Sequence, residues 1–327
     1  MRRRQFITVI GSAAAWSLAA RAQQPTATRR IGVLMNFGSD APEGQARVAA
    51  LMQALQKLGW NEGDNIRTDV RWPGDDEERF RKYSEELVGL NPDVIVASAG
   101  QSVAALQRIT RSVPIVFANV IDPVGAGYVA SLARPGGNTT GFTSYEYSIG
   151  GKWLELLKQI APRVTRIAVL RDPAYPAGIG QFAAIQTAAT SAIELSVIDP
   201  RDAGDLKRAI ATFAREPNGG LIVTGSASAA VHHELINSLA IEHRLPGIYP
   251  FRYEVLSGGL AAYGPNTVNI FGRAATYVDR VLKGAKPSEL PVQAPNKYEL
   301  VINLKTAKTL GLEIPPALIA TADEVIE

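Results

Sequence analysis

Hydrophobic positions along the chain fall into two alternating rhythms. Short runs rich in β-branched residues, such as Ile31 to Asn36 and Val94 to Ser98, are separated by longer stretches in which apolar residues return every three or four positions. The first rhythm is that of a buried strand and the second that of an amphipathic helix. Their regular alternation is the signature of βαβ units feeding parallel sheets. One series runs from strand Ile31 to Asn36 through helix Gly44 to Leu58, strand Ile66 to Trp72, helix Asp76 to Leu90, strand Val94 to Ser98 and helix Ser102 to Ile109 to strand Ile115 to Asn119. After the turn-rich stretch Arg134 to Gly141 the pattern restarts with helix Ile149 to Ile160, strand Ile167 to Leu170, helix Gln181 to Ala192 and strand Leu195 to Ile198. It continues with helix Asp205 to Phe213, strand Leu221 to Thr224, helix Val231 to His243 and strand Gly247 to Tyr249. The pattern therefore predicts an α/β protein of two doubly wound, Rossmann-like lobes. The tail breaks the alternation with Gly258 to Pro265, a helix from Val268 to Leu282 and a proline-punctuated stretch from Lys286 to Leu304. Such a tail fits a chain that recrosses between lobes.

A length of 327 residues with 46% hydrophobic and 20% charged positions agrees with two globular lobes. The first residues change the picture. Arg2, Arg3 and Arg4 precede an apolar run from Phe6 to Ala20 and a small-x-small site at Ala20-Arg21-Ala22, the tripartite form of a secretory signal cleaved after Ala22. Arg3-Arg4-Gln5-Phe6-Ile7 also resembles a twin-arginine signal, and the Tat and Sec routes both stay open. Removing residues 1–22 takes away four arginines and no acid, so the formal net charge moves from +3 to −1. The basic excess thus belongs to the export signal and gives no warrant for a nucleic-acid surface. The absence of cysteine excludes disulfides, thiolate metal sites, a Cys nucleophile and a lipid-anchored Cys tether. An exported chain without that tether is expected in a Gram-negative periplasm, soluble and monomeric.

Three features tempt an enzyme reading. Gly125 to Ala130 and Gly178 to Ala183 mimic the dinucleotide fingerprint, the second with Asp199 downstream. That fingerprint needs its first glycine directly at a strand end, and residues 121–124 and 171–177 intervene, so these glycines are expected to shape loops, and no cofactor is expected. His232, His233 and His243 share one expected helix but cannot form a local zinc set. Ser226 and Ser228 lack the Gly-x-Ser-x-Gly context of a nucleophile turn, and Ser226 reads better as a hydrogen-bonding residue at a strand end.

Ser131 to Thr143 and Lys286 to Glu327, together with Asp122 to Ala133 and Glu242 to Tyr249, closely resemble a family of ABC transporter substrate-binding proteins, the one that includes tryptophan-binding TrpX-like proteins. The resemblance spans essentially the whole chain after the signal. It implies the periplasmic binding protein type I fold, two lobes joined by three crossings, with no catalytic residues. Projected here, the crossings fall near Gly141 to Tyr145, Ala261 to Pro265 and Val292 to Pro295. Residues 28–143 and 264–292 would then form lobe one, and 144–263 and 293–327 lobe two. The expected function is capture of a small molecule for delivery to a permease in the inner membrane. An exported α/β enzyme and a ligand-presenting sensor are the alternatives.

In open α/β sheets ligands sit beyond the carboxyl ends of the strands. This rule selects Asn36, Phe37, Ser98, Gly100, Gln101, Ser102, Asn119 and Asp122 in lobe one, and Asp172, Tyr175, Gly225, Ser226, Tyr249 and Phe251 in lobe two. The crossings add Tyr145 and Tyr263. Asp122 and Asp172, each before a proline, also read as turn caps. Ser98 to Ser102 places Gly and two hydroxyl residues where a strand passes into a helix, a natural seat for an anion, so a carboxylate-bearing ligand is expected. The aromatic candidates on the other wall suit an aromatic amino acid or aromatic acid.

Overall fold

The computed structural model describes residues 28–327, and the expected export signal lies outside them. The first sheet holds β1 (Arg29–Leu34), β2 (Ile66–Arg71), β3 (Val94–Ser98), β4 (Ile115–Val120) and β5 (Thr139–Thr143) in the order β2-β1-β3-β4-β5. All its pairings are parallel, with Val33 opposite Val70 of β2 and Val96 of β3. A parallel sheet is covered on both faces, which is why β3 and β4 read as unbroken apolar runs and are buried throughout. The covering helices are α1 (Pro42–Lys57), α2 (Glu77–Gly89) and α3 (Ala99–Ile109).

The second sheet is built after α4 (Ile149–Ile160) from β6 (Arg166–Leu170), β7 (Glu194–Ile198), β8 (Gly219–Val223), β9 (Gly247–Tyr249), β10 (Ala261–Pro265), β11 (Tyr298–Asn303) and β12 (Glu324–Ile326). Their order is β12-β11-β10-β9-β8-β6-β7. It is parallel except where β10 meets β11. Its helices include α5 (Pro176–Ala188), α6 (Ala203–Phe213), α7 (Ala227–Val231), α8 (His233–Glu242) and α9 (Arg252–Leu256). The chain then returns to the first sheet as α10 (Thr267–Leu282), where the Trp60 indole donates to Asp279 at 2.9 Å, before finishing with α11 (Leu304–Thr309) and α12 (Pro316–Thr321).

The chain passes between the two sheets three times, and the passages are tied together. Thr143 N–H donates to the Gln293 carbonyl at 2.8 Å and Gln293 N–H to the Gly141 carbonyl at 2.9 Å, so the third passage runs beside β5. Trp153 on α4 donates to the Tyr263 carbonyl of β10 at 2.8 Å. Gly141 is obligatory here: its φ is +152°, and a Cβ would stand 2.0 Å from the Phe117 carbonyl oxygen on β4.

Several elements differ from the sequence expectation, with β10, β11 and α9 forming where no strand or helix was expected. β5 replaces the end of what reads as a turn-rich stretch. The helix expected over 231–243 divides at His232 into α7 and α8, and α5 begins at Pro176 instead of Gln181. Among the described residues no helix is long and apolar enough to cross a membrane.

Candidate functional site

The carboxyl ends of β1, β3 and β4 face those of β6, β8 and β9 across a cleft. Where β3 and β4 end, the backbone is driven into the left-handed region at three residues with side chains: Ala99 (φ 63°), Asn119 (φ 64°) and Asp122 (φ 37°). Such conformations cost roughly 1–3 kcal/mol each and concentrate where a wall must present particular groups to a ligand.

Between the lobes the cleft narrows to a small void of about 20 Å³. The first lobe lines it with Asn36, Arg47, Ala99, Gln101, Asn119 and Ile121, and the second with Tyr175, Gly225, Ser226, Ala230, Phe251 and Tyr253. That volume accommodates about one water. A molecule of amino-acid size enters only if the walls move apart.

The polar groups at the void are unusual. Arg47 is 1% exposed although it stands on the apolar stripe of α1 with Gly44, Leu51 and Leu55. Its Nε donates to Glu43 at 2.8 Å, and its guanidinium lies 4.7 Å from the Phe37 ring centroid, 5.7 Å from that of Phe271 and 5.8 Å from that of Tyr253. Glu43 in turn accepts from the Thr267 hydroxyl at 2.5 Å. The Nη1 of Arg47, the Oδ1 of Asn119 and the Oε1 of Gln101 are buried without a hydrogen-bond partner. Buried polar groups are ordinarily partnered, so three around one void leave donor and acceptor capacity there for another polar molecule, water included. Behind Phe251, burial pushes the Glu254 carboxyl up to about 8, although it accepts from the Phe251 N–H at 2.9 Å and the Arg47 cation opposes the rise.

Of the residues expected at strand ends, Asn36, Gln101, Asn119, Tyr175, Gly225, Ser226 and Phe251 line this void. Ser98 and Phe37 support it: the Ser98 hydroxyl donates to Asn36 Oδ1 at 2.5 Å, and Phe37 carries Arg47 on its face and meets Tyr253 edge-on at 5.9 Å. Gly100 touches Tyr175, since a Cβ there would lie 2.5 Å from the phenol oxygen. The Ser102 hydroxyl faces away, toward the Met35 carbonyl at 3.4 Å. Asp172 is engaged at home, accepting from Ala174 N–H at 2.9 Å and from the Ser228 hydroxyl at 3.1 Å, with Arg201 at 3.8 Å. Tyr249 is packed in the core of the second lobe beside Val255 and Leu245. Ser226 also caps α7, accepting from Ala229 N–H at 3.1 Å.

Asp122, Tyr145 and Tyr263 line a different hollow, a groove of about 670 Å³ along the crossings, with Glu146, Lys152 and Tyr298. Asp122 caps a turn there, accepting from Gly125 N–H at 2.8 Å, and Tyr263 stacks on Tyr298 at 5.7 Å. This groove is much larger, and its Lys152 is already paired with Glu155 at 3.0 Å. The buried unpartnered groups at the void carry more recognition chemistry, and the candidate site is placed there.

Sequence reasoning missed Arg47, Ala99, Ile121, Ala230 and Tyr253. Arg47 had a legible signal, a charge on the apolar stripe of an amphipathic helix. Of the enzyme-like motifs, Gly178 to Ala183 lies inside α5, and Gly125 to Ala130 lies in the irregular segment after β4. His232 and His233 bond the carbonyls of Pro200 and Ala230, each at 2.7 Å. No group of three or more potential metal ligands occurs among the described residues.

Residues 31–326 match a family model described as ABC transporter substrate binding protein. A tyrosine-binding protein of Clostridioides difficile (strain R20291) is 28% identical over 269 residues, which cover 80% of this chain and 75% of that protein. A crystal structure of an ABC domain in complex with L-Trp from Streptococcus pneumoniae superposes with a TM-score of 0.84 at 24% identity, covering 92% of this chain and 100% of that one. A ligand-free, open structure of a substrate binding protein with adhesive properties from Clostridium difficile gives a TM-score of 0.66, also at 24% identity, covering 91% and 99%.

Proposed function

The chain belongs to the family of ABC transporter substrate binding proteins, and from that premise we propose that it is a periplasmic solute-binding protein holding a small carboxylate-bearing molecule in the interlobe cleft for an ABC importer. The observation that carries the reading is the void walled by both lobes, where Arg47, Asn119 and Gln101 present buried groups without partners beside Tyr175, Phe251 and Tyr253. A cation, acceptor oxygens and aromatic faces together suit an aromatic amino acid or aromatic acid. The relatives named for tyrosine and described with L-Trp support the same ligand class.

The lobes act as a clamp. At equal identity this chain superposes better on the L-Trp complex than on the open, ligand-free structure, in keeping with lobes that lie together here and part to admit ligand. Residues 28–143 with 264–292 would move as one body, and 144–263 with 293–327 as the other. Export through the signal at residues 1–22, cleavage after Ala22, a monomeric mature chain and a permease in the inner membrane complete the reading. No part of it calls for turnover.

Calorimetry on the mature chain tests it. The probes are L-tyrosine, L-tryptophan, the branched-chain amino acids, phenylacetate and 4-hydroxybenzoate. The expected result is one-to-one binding of at least one of these acids, recovered chemically unchanged. Binding of none, or conversion of the bound acid, would overturn the proposal.

A further inference from the structure

The cleft contains two features that could hold an anion, and they are not equally available. One is the start of α3, where backbone N–H groups and the positive end of the helix converge. In the structure Tyr175 of the second lobe lies over it, its phenol against Gly100 and buried. The Ser102 hydroxyl, which could have added a donor, is turned to the Met35 carbonyl.

The other feature is Arg47. Its position on the apolar stripe of α1 gives it no route to solvent, Glu43 satisfies only its Nε, and three aromatic rings hold the guanidinium in place. Its Nη1 is left without a partner at the void. A guanidinium is a planar fork of donors that matches a carboxylate, and one already fixed by packing loses little freedom when it engages one. The free acceptor oxygens of Asn119 and Gln101 line the same void and complement an ammonium group beside that carboxylate.

We propose that Arg47, not the start of α3, holds the ligand's carboxylate, and that it is the residue by which the cleft selects acids over their neutral amides. This rests on the reading of the cleft as the ligand site. An amide in place of the carboxylate would leave the Nη1 fork facing a neutral group, with the Nε-bound Glu43 as the guanidinium's sole counter-charge, so discrimination follows from the same geometry as affinity.

The test compares, by calorimetry, the tightest-binding acid of the panel above with its primary amide on the wild-type mature chain and on the Arg47→Met and Arg47→Lys variants. Wild type is expected to prefer the acid by at least about 30-fold, the scale of a desolvated charge pair. Arg47→Met is expected to lose at least about 30-fold for the acid while amide binding changes little, which collapses the ratio. Arg47→Lys, a point charge without the fork, is expected to fall between. Circular dichroism reports folding, and if the Met variant is unfolded the Lys variant carries the comparison. An acid-to-amide ratio unchanged in the folded variants would overturn the assignment to Arg47 while leaving the cleft reading intact. A wild-type chain that binds no acid of the panel would overturn both.

Discussion

Glu254 shows how far the interior of this cleft departs from water. It is 1% exposed, and the groups that face it include Tyr249 and Tyr253, whose phenols are also pushed up by burial, and the Glu43–Arg47 pair. With its carboxyl raised from 4.5 to about 8, the folded chain keeps a proton that the unfolded chain releases. Below pH 4.5 both states hold it and the stabilisation is fully present. Between pH 4.5 and about 8 only the folded state holds it, so stability falls as pH rises through this window and levels off above it. The slope from this one group is at most about 1.4 kcal/mol per pH unit. Glu254→Gln keeps an acceptor for the Phe251 N–H and cannot ionise, so its stability is expected to decline less over the same range. Urea denaturation of both proteins at intervals from pH 5 to 8.5 measures this. Parallel profiles would show that Glu254 ionises freely in the folded protein.

At the scale of elements, the loop before α5 meets the first turn of α3 across the cleft. Gly100 exists there because Tyr175 and Tyr128 leave no room, their phenol oxygens standing 2.5 and 3.1 Å from where a Cβ would be. A Cβ at Gly100 meets Tyr175 of the other lobe most closely, so Gly100→Ala is expected to act as a wedge against closure, while the helix-propensity gain of about 0.5–1 kcal/mol offsets the lesser crowding against Tyr128 within the first lobe. The expected signature is a thermal midpoint that does not fall, joined to acid binding weakened at least about tenfold, a cost of about 1.4 kcal/mol. Unchanged affinity would mean that Tyr175 does not need to reach α3 for ligand to be held. The strand ends that form this contact were legible in the sequence, because β-branched runs ending in small and polar residues mark both the sheet and its functional edge. β5 was hidden because Thr139 to Thr143 includes Gly141, whose composition is that of a turn although the close packing on β4 demands it within a strand. Arg47 was hidden differently. Its place on the apolar stripe of α1 hints at burial, but only the return of α10, more than two hundred residues later, with Phe271 and Thr267, surrounds that face and encloses the guanidinium. Tyr253 likewise enters the site through α9, a helix of five residues too short to announce itself by pattern.

The whole molecule joins two stiff sheets by three adjacent passages laced together by hydrogen bonds. The bonds between Thr143, Gly141 and Gln293 and between Trp153 and Tyr263 lie along these passages, whereas the contacts across the cleft are mostly side-chain packing. Such an arrangement confines motion to an angle between two bodies. Ligand stabilises the narrow angle only through contacts that both walls make at once. On the proposed reading the void of about 20 Å³ sets the sense of the change, since an amino acid would enter after the walls part and then be enclosed by them. A hinged clamp on a small acid is tested by small-angle X-ray scattering of the chain without residues 1–22, with and without the acid that binds it best. The radius of gyration is expected to contract as the acid is added and to stop contracting at one equivalent bound. A radius of gyration unchanged at saturation would contradict it.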